Sequence, residues 1–160
     1  MPSKTLSVDE LVKQIKLKNL PSLLLIYGQE DYFCENSVRL IRKAYISEGS
    51  EQMDYVKLDF ESKGFDLDKV IDNSQLPPWL STKRVVLVRN SGIFSVADPK
   101  KDLATSFEKF ASSIPDTTIV VFWEDAIDKR KKGILKTFET KGIVCESPFL
   151  NDVSIASKIS

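Results

Sequence analysis

The sequence predicts an α/β domain of three layers, a parallel sheet of about five strands sandwiched between helices. Two patterns carry that reading. Leu23, Leu24, Leu25, Ile26 and Tyr27 form an unbroken apolar run, entered from Pro21 and Ser22 and left at Gly28. A parallel strand buried on both faces has this form, because neither face can be polar. Beyond that run, strand-like and helix-like patterns alternate to the end of the chain. The length of 160 residues suits one ordinary domain with a substantial core.

The first element is a helix. Ser7 and Glu10 have the spacing of a capping box, and Val8, Leu11, Val12 and Ile15 form one apolar stripe over a helix expected to run to about Lys18. Asn19 and Pro21 break it and feed the central strand. After Gly28, apolar positions at Val38, Leu40, Ile41, Ala44 and Tyr45 recur at helical spacing. Tyr55 to Leu58 alternates and reads as a strand nearer the sheet's edge. Asp66 or a neighbour caps a helix through Val70 and Ile71, and Val85 to Val88 is the next strand. Pro99 to Ser113 has helical length, with Leu103, Phe107 and Phe110 in phase. Thr117 to Trp123 is a buried strand, Asp128 caps a basic helix through Phe138, and Ile143 to Cys145 is a last short strand. From Asn151 the positions Val153, Ile155, Ala156 and Ile159 begin another helix. The expected organisation is one domain over 1–148 and the truncated start of a second, helical domain over 149–160.

Composition narrows the function. Lys plus Arg and Asp plus Glu number 23 each, so no global field draws the chain to nucleic acid or to a membrane. Histidine is absent and the two cysteines, Cys34 and Cys145, are far apart, which leaves almost no ligands for zinc or haem. Both read as small buried apolar residues. Met1 to Thr5 is polar and no apolar run approaches a membrane span, so the expected location is the cytoplasm, with no membrane partner.

The loop after the central strand is where nucleotide-binding folds cradle phosphate. Such a loop needs Gly, four residues, then Gly-Lys-Ser/Thr, so that backbone amides wrap the phosphates and a lysine reaches them. Here Gly28 is followed, at the positions of the second glycine, lysine and hydroxyl, by Phe33, Cys34 and Glu35. Glu30, Asp31 and Glu35 would repel a triphosphate. The residues suggest a nucleotide-binding scaffold put to another use.

Four stretches together carry a resemblance: Leu23 to Tyr32, Lys83 to Asn90, Asp128 to Lys132, and Phe149 to Asp152 before the final helix. In order and spacing they resemble the N-terminal domain of the bacterial DNA polymerase III delta subunit, the clamp-opening subunit of the clamp loader, over essentially the whole chain. The resemblance implies an AAA+ architecture that has lost its ATPase. In active relatives the strand ending at Val88 is followed by an acidic pair for magnesium and water. Arg89 and Asn90 stand there, and with Gly28, Phe33, Cys34 and Glu35 they make up a degenerate nucleotide site, with no cofactor expected.

The resemblance also implies a segment that grips the sliding clamp, built on glutamine followed by paired hydrophobic residues. It matches Gln75, Leu76, Pro77, Pro78, Trp79 and Leu80, with Trp then Leu where Leu then Phe is more usual. A side-chain amide suits a pocket rim, a ring and a branched aliphatic suit an apolar groove, and prolines lower the entropy lost on docking. The residues themselves leave a second reading open, in which Trp79 packs into this domain's own core. The implied partners are the sliding clamp (beta), other clamp-loader subunits and, in the assembled complex, DNA. The implied action is mechanical: binding energy at Trp79 and Leu80 favours an open clamp for loading onto primed DNA. Rival readings are an ATPase or kinase with an atypical loop, and an adaptor for another partner.

Lys129, Arg130, Lys131 and Lys132 form the strongest charge run, a contact to phosphate or to a neighbouring subunit or, more plainly, a solvated face. Glu124 and Asp125 could pass for a catalytic carboxylate pair, but read as a loop at a strand's C-terminal end. Phe107, Phe110, Phe122 and Trp123 read as core.

Overall fold

The computed structural model describes residues 5–61, 64–94, 103–127 and 132–147. Its elements in chain order are β1 (Thr5–Leu6), α1 (Val8–Lys16), β2 (Leu23–Tyr27), α2 (Asp31–Tyr45), α3 (Glu51–Asp54), β3 (Tyr55–Asp59), α4 (Leu67–Ser74), β4 (Arg84–Arg89), α5 (Leu103–Ser113), β5 (Thr118–Glu124), α6 (Lys132–Lys141) and β6 (Ile143–Glu146). The strands form one sheet in the order β1-β6-β2-β5-β4-β3, and every pairing is parallel. The apolar run is a central strand: β2 pairs with β5 on one side and β6 on the other. The alternating segment at Tyr55 is the edge strand β3, as its half-polar pattern requires. Two short elements go beyond the sequence reading, the two-residue strand β1 and the four-residue helix α3.

Successive strand residues point to opposite faces, and two cores follow. Leu23, Leu25 and Tyr27 join Val86, Val88, Val120 and Phe122 under α4, α5 and α6, where Val70, Phe107, Phe110 and Phe138 pack. Leu24 and Ile26 join Val85, Leu87, Ile119, Val121 and Trp123 under α1 and α2, through Leu11, Ile15, Val38 and Ile41. Phe107, Phe122 and Phe138 meet one another with ring centroids 5.2 to 5.5 Å apart, so the aromatic residues read as core are core. Cys34 and Cys145 are buried free thiols, and burial pushes them up to about 11 and about 12.

Local chemistry sets the helix ends. Ser7 and Glu10 make both bonds of the capping box, at 3.2 and 3.0 Å. Helix α1 stops two residues before the expected Lys18. That residue turns into the left-handed region at φ 54°, and the amides of Lys18 and Asn19 return to the carbonyls of Ile15 and Gln14. This is a Schellman closure with lysine where glycine is commoner. Asp66 caps α4 through the amide of Lys69. The start of the helix expected from Pro99, the cap at Asp128 and the helix expected after Asn151 lie outside the described residues, as does the proposed second domain over 149–160.

Candidate functional site

Helix α4 ends at Ser74, with Gln75 as its C-cap. Pro77 and Pro78 cannot continue it, and the chain crosses an open segment before β4 begins at Arg84. Trp79 is 65% exposed, Leu80 61% and Leu76 50%. The core reading of Trp79 therefore gives way to the surface one. Trp123, by contrast, is 7% exposed.

The exposed side chains do not hold this segment, so its backbone must be held by something else. The amides of Trp79, Leu80 and Ser81 all donate to the carboxylate of Asp54, at 2.5, 3.0 and 2.8 Å. Asp54 closes α3 and is fully buried. Burial pushes its carboxyl up, but the hydrogen bonds from Trp79, Leu80 and Ser81 outweigh it and hold the group well below the usual carboxylate range. Around this anchor, the Ser81 hydroxyl accepts from the Ser47 amide and pairs with the Ser50 hydroxyl, each at 2.8 Å. The buried Arg84 guanidinium donates to the carbonyls of Met53 and Asn73, at 2.6 and 2.8 Å, joining the end of α3 to the end of α4. Gln75 donates its side-chain amide to the Ser113 carbonyl at 3.2 Å, so that nitrogen already has a partner within the domain.

The residues expected to form a degenerate nucleotide site lie at the opposite end of the sheet, where the parallel strands finish. Helix α2 begins at Asp31, only three residues after Gly28, so Phe33 and Cys34 sit in its first turn and leave no long loop to wrap a phosphate. The helix start is capped by a side chain of its own. Glu30 is buried and accepts from the Tyr32 amide at 3.2 Å. Gly28 has φ 138°, and a Cβ built there would lie 1.9 Å from the Ser147 Oγ, so Ser147 fills the space beside it. Glu35 is exposed on α2.

Arg89 and Asn90 are also engaged. The Arg89 guanidinium lies 3.8 Å from the centre of the Trp123 ring and reaches Asp125 at 3.4 Å. Asn90, at φ 53°, donates to Asp59 at 3.1 Å. Glu124 corrects the sequence reading. It is not a loop carboxylate but the buried last residue of β5, accepting from the Ser91 amide and hydroxyl at 3.1 and 2.6 Å. Burial pushes its carboxyl up, against the pull of the Ser91 bonds. Among the described residues, no group of three or more His, Cys, Asp or Glu could hold a metal ion.

Lys129, Arg130 and Lys131 lie outside the described residues, and Lys132 opens α6. The structure brings the residues of the 75–80 segment together and adds Asp54, Ser81 and Arg84, which sequence reasoning missed. Only a fold can disclose such a contact, because Asp54 lies 25 residues before the amide it binds.

The all-parallel sheet with helices packed on both faces defines the class, a three-layer α/β domain. A family model of the DNA polymerase III delta subunit matches residues 24–147, and the chain belongs to that family. DNA polymerase III subunit delta of Bacillus subtilis is 23% identical over 150 residues, which is 90% of this chain and 42% of that protein. Among solved structures, the Bacillus subtilis DNA clamp loader delta protein superposes with a TM-score of 0.78 at 20% identity, covering 95% of this chain and 45% of its own. A DNA polymerase III gamma subunit-related protein of Thermotoga maritima gives 0.61 at 18% identity, covering 95% and 49%. The chain thus spans less than half the length of these relatives, and at such identities the structural likeness is one of fold.

Proposed function

We propose that this domain is a non-catalytic binding module of a bacterial clamp loader. It docks on the sliding clamp through Gln75, Leu76, Pro77, Pro78, Trp79 and Leu80, and helps open the ring for loading onto primed DNA. One observation carries the reading: a tryptophan and a leucine stand exposed side by side on a backbone anchored from beneath. A chain gains about 1.5–3 kcal/mol by burying a large apolar side chain. Two left exposed on an anchored segment fit an apolar groove on a partner, with Trp79 as the hot-spot anchor. Docking to one protomer of a ring can favour its open form only through contacts that are better when the ring is open. Nucleotide binding would fall to other subunits of the assembly, a reading supported by the Tyr32 amide being already bonded to Glu30 and by Ser147 packing against Gly28. The module would act in the cytoplasm. Among the described residues no helix is long and apolar enough to cross a membrane.

The test is titration against the sliding clamp of the same organism, with wild type beside the Trp79→Ala, Leu80→Ala double variant. Binding by wild type that is lost in a folded double variant supports the reading. Equal binding by both would refute the segment as the contact. A fluorescent ATP analogue with magnesium, added in a parallel titration, should stay unbound, and saturable binding would favour the ATPase alternative.

A further inference from the structure

We infer that Asp54 is a positioning residue for partner docking: its buried carboxylate fixes the backbone turn that presents Trp79 and Leu80. The inference rests on the docking reading and deepens it. Residues 77 and 78 are prolines without an amide hydrogen, and the next three amides, of Trp79, Leu80 and Ser81, all end on one side chain. Successive amides converging on an anion form a nest, and here the anion belongs to the protein. Asp54 sits at the end of α3, directly before β3, so the turn is referenced to the sheet itself. Ser47 adds a bond to the Leu80 carbonyl at 3.3 Å, and Arg84 holds the carbonyl of Met53, next to Asp54. The ordering of the segment is thus completed on folding, and less entropy is lost when a partner binds.

Asparagine at this position keeps the size but replaces one acceptor with a donor that faces amide hydrogens. Asp54→Asn is expected to weaken clamp binding by about tenfold or more, because freed backbone must be ordered again on docking, although Trp79 and Leu80 are both still present. A spectroscopic signature separates positioning from general damage. The chain has two tryptophans, so in a Trp123→Phe background the emission reports Trp79 alone. Time-resolved anisotropy should show a slow component in the reference protein and a new fast one when Asp54→Asn is added. A folded Asp54→Asn variant with reference affinity, or with unchanged Trp79 anisotropy, overturns the inference. If wild type itself fails to bind the clamp, the docking reading falls, while the anisotropy still decides whether Asp54 orders the segment. If Asp54→Asn does not fold, amide exchange on wild type decides. Protected amides at Trp79, Leu80 and Ser81, beneath exposed side chains, support the anchor, and fast exchange at all three refutes it.

Discussion

The two tryptophans provide a matched pair of truncations with opposite expected outcomes. Trp123 is buried between Arg89 and the α1–α2 core, at 7% exposure, and replacing it with alanine should cost about 3–5 kcal/mol. For a domain of this size each kcal/mol lowers Tm by about 2–4 °C, so Trp123→Ala should lose roughly 6–20 °C. Trp79 is 65% exposed, and its truncation should fall within about 0.5 kcal/mol, or roughly 2 °C, as for an ordinary surface change. Binding should reverse the ranking. An anchor worth about 2 kcal/mol at an interface corresponds to about a thirtyfold change in Kd, expected for Trp79→Ala. Thermal unfolding followed by circular dichroism reads the first quantity, and titration with the clamp reads the second. A Trp79→Ala variant that loses 6 °C or more would mean that the ring is packed at home, and the case for an exposed anchor would fail. Unchanged stability together with unchanged clamp affinity would leave the ring exposed but remove it from the interface.

Two further perturbations address the opposite end of the sheet. Gly28→Ala forces a side chain into a backbone conformation at φ 138° and against Ser147, so it should cost about 2–5 kcal/mol. Adding Ser147→Gly should recover the steric share and not the backbone share, as read in urea unfolding; an unperturbed Gly28→Ala variant would mean that Ser147 does not fill that space. Folding raises the Glu124 carboxyl above its ordinary 4.5, so the folded chain holds that proton to higher pH than the unfolded chain. Its contribution to stability is then fully present at low pH and declines as pH rises through and above about 4.5. Glu124→Gln keeps an acceptor for Ser91 without the buried charge. It should match wild type near pH 4 and gain relative stability toward pH 7, and a flat difference across that range would refute the assignment.

Most of the scaffold was legible in the sequence because its signals are local. An unbroken apolar run marked β2, alternation marked the edge strand β3, and Ser7 with Glu10 marked the first helix start. Each depends on residues within a few positions of one another, where period and capping chemistry operate. That Phe33, Cys34 and Glu35 stand where a phosphate loop would carry glycine, lysine and a hydroxyl was equally plain, since it is a matter of residue identity. What the sequence could not decide was exposure. Trp79 and Trp123 both follow strongly apolar or proline-rich neighbours, and only the packed sheet separates the surface ring from the buried one. Nor could it assign Glu124, which resembles a loop carboxylate until the turn after β4 folds over it and Ser91 supplies two donors. Asp54 is the clearest case. A carboxylate before a strand is unremarkable in one dimension, and its role arises because parallel topology places the starts of β3 and β4 side by side. That adjacency brings residue 54 beneath residues 79 to 81, a contact between distant positions that no local pattern encodes.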